Sequence, residues 1–234
     1  PGAQFVDLLT DFQDQDADLS LMLPKPEAFA SEISAKGIGD EHMVVVYATA
    51  VPWWATRFWW MLKANGHNAV AVLDGGIKKW RSEGRPITLE IPQFAPANFT
   101  AKQRPELIAD KSKVQAVLKD DTGTVINALS PQLHSGESDL GYGRPGRIAG
   151  SHNLSALTLI DHDSGAYLQD DQLRQAVSDT LGHLKGEAVC YCGGGIAATM
   201  DALVLNLLGY SKVSVYDASL SEWAADDRLP METG

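Results

Sequence analysis

Cysteine, long apolar segments and positive charge are all scarce in this sequence of 234 residues. Its two cysteines, Cys190 and Cys192, cannot build a disulfide framework, so we expect a reducing, cytoplasmic location. No apolar run reaches the roughly eighteen residues that a membrane span needs, so no membrane partner is predicted. Lys and Arg number 19 against 30 Asp and Glu, and the net charge of −11 argues against nucleic acid as a partner.

What the sequence does contain is an internal repeat. Ala198 and Trp223 each lie 143 residues after their counterparts, Ala55 and Trp80. Other matching segments surround these pairs. In the first copy they are Val44–Tyr47, Gly66-His67 and Val70–Asp74, and in the second they are Ala188–Tyr191, Gly209-Tyr210 and Val213–Asp217. The repeat predicts two homologous domains.

Each copy has the pattern of strand, loop, helix and strand. Short valine-rich runs are typical of strands buried on both faces of a parallel sheet, and segments of helical length separate them. This alternation predicts an α/β fold of two tandem domains, each a parallel sheet flanked by helices. Strands are predicted at 44–47, 124–127, 188–191 and 213–216. Helices are predicted at 26–36, 55–65, 109–119, 170–181 and 196–208.

The domain boundaries follow from a proline-rich stretch between residues 85 and 105, which carries four prolines and little periodicity. We assign 1–92 to the first domain, 93–106 to a linker and 107–234 to the second domain. The segment before Ala149-Gly150-Ser151, with its predicted strand, has no counterpart before Pro1-Gly2-Ala3. We therefore expect the first domain to lack its opening strand and helix.

The loop after the strand at 188–191 has the composition of a nucleophile site. Cys192 is followed by Gly193, Gly194, Gly195, Ile196 and Ala197. Glycines let a loop curl so that several N–H groups turn inward, and the adjoining helix N-terminus adds partial positive charge. A sulfur held there is stabilised as an anion, which is its nucleophilic form. Such a pocket requires no metal and no cofactor.

A plainer interpretation stands beside this one. A cysteine near a glycine-rich turn is more often a small buried hydrophobic residue, as we expect for Cys190 inside the strand. The repeat favours a function for Cys192, because the equivalent residue of the first copy is Ala48. One working loop and one silent loop are predicted.

Several motifs resemble those of rhodaneses and mercaptopyruvate sulfurtransferases, and together they cover nearly all of the chain. The segment from Tyr191 to Ala198 resembles the active loop of that family. The other similar segments are Gly146–Ser151, Val215–Trp223, Trp59-Trp60 and Val72–Gly76, the last with Trp80. The resemblance implies two domains with the live cysteine in the second copy, near the interface.

The resemblance also implies a reaction. Cys192 takes a sulfur atom from a small anionic donor, holds it as a persulfide cradled by the N–H groups of residues 193–197, and passes it to cyanide or a thiol. The loop departs from the mercaptopyruvate pattern, since Gly194 and Ala197 stand where serine and threonine are usual. Thiosulfate and 3-mercaptopyruvate therefore both remain open as donors. Arg144 and Arg147 are candidates to bind the donor, although loop arginines facing solvent are an equal alternative.

Two other functions compete with sulfur transfer. A cysteine phosphatase needs an arginine six residues after the nucleophile, and that position is Ala198. A silent rhodanese-like module that serves in binding or regulation remains the alternative to an enzyme. Asp74 and Asp217 follow strands, and we predict that they cap the next helices.

Overall fold

The longer helices form where apolar residues recur near helical spacing, and each strand of three or more residues contains valine. The computed structural model describes residues 1–184 and 186–234. Its helices are α1 (Pro26–Ala35), α2 (Trp53–Ala64), α3 (Gly76–Ser82), α4 (Lys111–Asp120), α5 (Pro131–Ser135), α6 (Asp170–Leu181), α7 (Ala198–Leu207) and α8 (Ser219–Trp223). Its strands are β1 (Val44–Val46), β2 (Val70–Val72), β3 (Ile108–Ala109), β4 (Gly123–Asn127), β5 (Arg147–Ile148), β6 (His152–Asn153), β7 (Glu187–Tyr191), β8 (Val213–Tyr216) and β9 (Met231–Glu232).

These elements confirm the predicted strands and helices to within two residues at most ends. The helix predicted at 109–119 begins at Lys111 instead, because the Asp110 side chain caps it by accepting from the Lys113 N–H at 2.8 Å. Ala109 lies in β3 and pairs with Tyr216 of β8. A strand of two residues depends on this distant pairing, which local sequence does not reveal.

The second half of the chain is built on a five-stranded sheet in the order β3-β8-β7-β4-β6, with every pair parallel. β7 is the central strand, and its alternating side chains enter two hydrophobic clusters, one with Cys190 and one with Val189 and Tyr191. Because the carboxyl ends of parallel strands meet at one edge of a sheet, the residue after β7 lies at the edge where ligands bind. That residue is Cys192.

The first half has the same local plan. β1 and β2 pair in parallel, with Val44 opposite Val70 and Val46 opposite Val72. The α/β prediction of two tandem copies is confirmed. The range 83–104 contains no helix or strand, and its Phe99 ring packs 5.8 Å from Phe29 of the first half. The boundaries proposed around this segment stay a prediction.

The two halves meet where α2 packs against α7. The hydroxyls of Thr56 and Thr199 are 2.7 Å apart at the centre of this contact, and the two threonines are themselves repeat partners. Trp59 and Trp60 of α2 are buried and belong to the hydrophobic core. No helix of the described residues is long and apolar enough to cross a bilayer.

Candidate active site

Cys192 lies directly after β7 and is almost fully buried, with 2% of its surface exposed. Its N–H donates to the Ser219 hydroxyl at 3.0 Å, and that hydroxyl donates in turn to the Tyr216 carbonyl at 2.7 Å. Ser219 has a φ of +50°, an uncommon conformation for a residue with a side chain. The first residue of α8 thus fixes the backbone of the cysteine.

The carbonyl groups of the loop are also held by α8. The Leu220 N–H donates to the Cys192 carbonyl at 3.1 Å. The N–H and the hydroxyl of Ser221 both donate to the Gly193 carbonyl, each at 2.9 Å. One side of the loop is therefore fully anchored by backbone and serine hydrogen bonds.

The N–H groups of the loop are left unpaired. None of the five amides of residues 193–197 donates a hydrogen bond to a residue that the structure describes. In a trans peptide the carbonyl and the next N–H point in opposite directions, so the anchored carbonyls of Cys192 and Gly193 turn the amides of Gly193 and Gly194 away from α8. Unpaired amides at the start of a helix form a site for an anion.

An arginine from the first half completes the loop. Arg57, on α2, donates to the Gly195 carbonyl at 3.2 Å and to the Asp217 carboxylate at 2.5 Å. Both side chains of this ion pair are buried, with 2% and 5% exposed. The guanidinium also lies 4.7 Å from the centre of the Trp60 ring. The first copy thus places a cation against the loop of the second copy.

Gly195 shows why this part of the loop needs glycine. Its φ is +75°, and a Cβ added there would lie 2.3 Å from the Asp217 carbonyl oxygen and 3.2 Å from an Arg57 nitrogen. Any side chain would therefore push against the ion pair as well as adopt a strained backbone. The glycine at this position brings the backbone within reach of Arg57.

Tyr142 covers the loop from the solvent side. A Cβ added to Gly193 would lie 2.1 Å from Tyr142 Cε2, so the ring rests directly on the glycine backbone. Burial, and secondarily the charge of Cys192, raises the pKa of the Tyr142 hydroxyl above its ordinary value. Sequence reasoning missed both Tyr142 and Arg57. The one local signal for Tyr142 is an aromatic residue between Gly141 and Gly143.

The two candidate arginines have other partners. The Arg144 guanidinium donates to four backbone carbonyls, those of Trp223, Ala224, Asp226 and Leu229, at 2.7 to 3.3 Å. Arg147 donates to the Gly234 carbonyl at 2.7 Å and lies 3.4 Å from a Glu232 carboxylate oxygen. These contacts occupy most of the N–H donors of Arg144, and donor binding by either arginine stays a prediction.

The prediction that Asp74 and Asp217 cap helices is wrong. Neither α3 nor α8 has a side-chain cap. Asp217 accepts from Arg57 and from the Leu23 N–H at 2.7 Å, whereas Asp74 accepts from the Tyr167 N–H at 2.8 Å. Each aspartate therefore bonds to the opposite half of the chain, and the pair ties the two copies together.

Cys190 lies in the core, as predicted. It is 0% exposed, and burial raises the pKa of its thiol well above the ordinary value, which keeps it in the unreactive form. Among the described residues, no group of three or more His, Cys, Asp or Glu is placed to hold a metal ion.

Comparison of the sequence with known proteins identifies the family to which the chain belongs. The model of the rhodanese-like domain family matches residues 1–83 and 116–226. The chain is 33% identical to thiosulfate/3-mercaptopyruvate sulfurtransferase 2 of Arabidopsis thaliana, over 99% of this chain and 74% of that protein. It is 32% identical to the sulfur carrier protein TtuD of Thermus thermophilus, over 100% of this chain and 85% of that protein.

Solved structures agree in fold. The 3-mercaptopyruvate sulfotransferase SseA of Escherichia coli superposes with a TM-score of 0.85 at 26% identity, over 94% of this chain and 82% of that chain. The Tum1 protein of Saccharomyces cerevisiae superposes with a TM-score of 0.87 at 20% identity, over 99% of this chain and 83% of that chain, which is a likeness of fold alone.

Proposed function

This chain belongs to the rhodanese-like family and is a sulfurtransferase, and we propose that it moves a sulfane sulfur through a persulfide on Cys192. The donor is a small anion, thiosulfate or 3-mercaptopyruvate, and the acceptor is cyanide or a thiol. The Cys192 loop of residues 193–197 carries the chemistry, while the Ala48 loop of the first copy is silent.

The reaction has two steps. The Cys192 thiolate attacks the outer sulfur of thiosulfate, so a new S–S bond forms while the old one breaks and sulfite leaves with the electron pair. With 3-mercaptopyruvate, a C–S bond breaks instead, and pyruvate leaves as an enolate that takes up a proton. The acceptor then attacks the outer sulfur of the persulfide, and the Cys192 thiolate leaves. No electron carrier is needed, because each step exchanges one bond to sulfur for another.

The observation that carries the proposal is the set of five amides, 193–197, that donate to no described residue and lie beside a buried cysteine. A terminal persulfide sulfur bears negative charge, and a hydrogen bond to a charged group contributes about 1.5–3 kcal/mol. Several such bonds from residues 193–197 would stabilise the persulfide against loss of its sulfur. The same amides would stabilise the thiolate that attacks the donor.

Residue 194 offers a way to distinguish the donors. A Cβ added to Gly194 would lie 3.6 Å from the Ser221 hydroxyl oxygen and 3.9 Å from the Tyr142 ring, which is ordinary van der Waals contact. Gly194→Ser therefore fits the loop and restores the serine of the mercaptopyruvate pattern. We expect it to raise the ratio of turnover with 3-mercaptopyruvate to turnover with thiosulfate.

The test is sulfur transfer to cyanide, measured as thiocyanate formed from each donor. Wild type is compared with Cys192→Ser and with a matched control, Cys190→Val, which copies Val46 at the equivalent place of the first copy. We expect transfer by wild type and by the control, but not by Cys192→Ser. Wild-type protein that is folded yet transfers sulfur from neither donor would instead support the silent binding module.

The location is part of the same proposal. Both cysteines are free thiols, and a reducing compartment keeps the Cys192 thiol free to take up sulfur. A reducing compartment, the cytoplasm, suits this chemistry.

A further inference from the structure

The burial of Cys192 poses a question of access. With 2% of the residue exposed, its sulfur cannot meet a donor or an acceptor unless something moves. β7 and α8 fix the loop from behind through Ser219, Leu220 and Ser221. The solvent side is covered by Tyr142, whose ring lies on Gly193.

Tyr142 is held there by packing alone. Its hydroxyl makes no hydrogen bond with a residue that the structure describes, and 37% of the residue is exposed, so one side of the ring faces solvent. Burial, and secondarily the Cys192 charge, raises the pKa of the hydroxyl, so the phenol stays neutral. An outward turn of this side chain therefore breaks packing contacts but no hydrogen bond with a described residue.

The segment around Tyr142 is built to let the ring move while its base stays fixed. Gly141 and Gly143 flank the tyrosine with φ of +77° and +113°, and a Cβ added to Gly141 would meet nothing within 4 Å. Immediately after them, Arg144 is anchored by its four hydrogen bonds to backbone carbonyls. The free space at Gly141 and the anchor at Arg144 together define a short hinged flap.

We propose that Tyr142 is a specificity-determining residue whose ring admits small sulfur donors and acceptors to Cys192 and excludes bulky ones. The inference rests on the proposed function for its meaning, since the excluded compounds would be peptide and protein thiols or persulfides. Thiosulfate, 3-mercaptopyruvate and cyanide are small enough to enter through a partial opening of the ring. A tripeptide thiol would require the ring to leave the loop altogether.

The test measures access to Cys192 without any sulfur transfer, so that it can fail independently of the proposed function. The alkylation rate of Cys192 is followed by intact mass with iodoacetamide and with a polyethylene-glycol maleimide, in the Cys190→Val background. Tyr142→Ala should speed the bulky reagent by at least about tenfold, the factor given by about 1.4 kcal/mol of opening free energy, and change the iodoacetamide rate much less. Tyr142→Phe, which keeps the ring, should behave as wild type.

A second variant tests the contact itself. In Gly193→Ala the new methyl group would occupy the place of the Tyr142 ring and displace it. It should therefore speed bulky alkylation in the presence of Tyr142 and add nothing once Tyr142→Ala has been made. Thermal unfolding of each variant checks that the loop is intact rather than unfolded.

Three results would overturn the proposal. The first is a wild-type protein that reacts with the maleimide as fast, relative to iodoacetamide, as Tyr142→Ala does. The second is a Tyr142→Phe protein that matches Tyr142→Ala. The third is a Gly193→Ala effect that persists without the tyrosine. If the alkylation rates depended on Tyr142 as expected but the protein accepted no sulfur from either donor, the proposed function would be refuted. The role of Tyr142 in controlling access to Cys192 would still be supported.

Discussion

The Cys192 loop and the Ala48 loop occupy the same place in the two copies, yet they are held in very different ways. β7, which leads into Cys192, lies between β4 and β8, whereas β1 pairs with β2 alone among the described strands. Ser219 fixes the Cys192 backbone, but Gly76 stands at its place in the first copy. The two loops therefore differ in their support as well as in the cysteine of one and the alanine of the other.

The exposure of the two loops reflects this support. Thr49 and Ala50 are exposed, and the Ala48 loop lines an open cleft of about 460 Å³. Among the described residues, the amides after Gly76 make no hydrogen bonds to the carbonyls of Ala48 and Thr49, although their counterparts bind the Cys192 loop. The Ala48 loop therefore lacks, within the described part of the chain, the hydrogen bonds that anchor the Cys192 loop.

The first copy nevertheless contributes to the Cys192 loop of the second. Arg57 reaches the Gly195 carbonyl from α2, and the residue at its repeat position in α7 is Met200. The cation thus lies on one copy and Cys192 on the other. Four predictions test these differences between the two copies, beginning with the largest expected effect.

Transferring the cysteine from position 192 to position 48 should not restore sulfur transfer. Cys192→Ser should lower sulfur transfer by at least about a thousandfold, as loss of a nucleophile does. Adding Ala48→Cys to it should restore nothing, because the Ala48 loop lacks the anchored carbonyls that direct amides at a persulfide. Thiocyanate formation and intact mass measure both effects. If the double variant took up sulfur, the support of the loop would be irrelevant.

Removing the shared cation should cost stability as well as activity. Arg57→Met, which copies Met200, leaves the Asp217 carboxylate buried without its partner, at a cost of about 3–5 kcal/mol in the free energy of unfolding. Urea unfolding measures this cost.

Two further variants control for the loss of charge. Lys25→Met breaks an exposed ion pair with Asp16, which solvent screens, and should lower the free energy of unfolding far less than Arg57→Met does. Adding Asp217→Asn to Arg57→Met should recover part of the loss. An Arg57→Met protein no less stable than Lys25→Met would show that the buried pair does not join the copies.

Loss of the Ser219 hydroxyl should have a smaller effect on stability, and its size should depend on whether alanine or glycine replaces the serine. Ser219→Ala removes the acceptor for the Cys192 N–H and should cost about 1–2 kcal/mol in the free energy of unfolding. Ser219→Gly, which copies Gly76, should cost less by about 0.5–1 kcal/mol, since glycine adopts a φ of +50° without strain. Both should slow sulfur transfer several-fold, and equal stability of the two variants would argue against strain at this residue.

A pH effect should be confined to the second copy. Burial, with help from the nearby Arg147 and His152 charges, lowers the pKa of His134 from 6.5 to about 4. As the pH falls below 6.5, His134 is protonated in the unfolded chain but stays neutral in the native protein. Protonation therefore favours the unfolded state, and the free energy of unfolding falls between about pH 6.5 and pH 4. His134→Gln should flatten this part of the urea-midpoint profile. If His134→Gln kept the wild-type dependence of the urea midpoint on pH, another group would have to cause that dependence.

Sequence reasoning reached what is local or repeated. The loop of residues 192–197 was found from its glycines, and its silent partner from the constant spacing of the copies. Arg57 and Tyr142 were missed because their contacts with the loop cross long stretches of chain, and neither belongs to a motif whose spacing reports that contact. The aspartates were misassigned for the same reason, since a capping position looks identical in sequence to a position that bonds across the interface.

The most direct test is to find where the transferred sulfur resides. Wild-type protein is treated with thiosulfate or 3-mercaptopyruvate and cleaved without reduction, and the masses of its peptides are measured by mass spectrometry. The single variant Cys192→Ser and the double variant Cys192→Ser with Ala48→Cys are measured in the same way. We predict one added sulfur atom on Cys192 of wild type and none on either variant. Sulfur on Cys190, sulfur on the thiol introduced by Ala48→Cys in the double variant, or none on Cys192 with either donor would contradict the account.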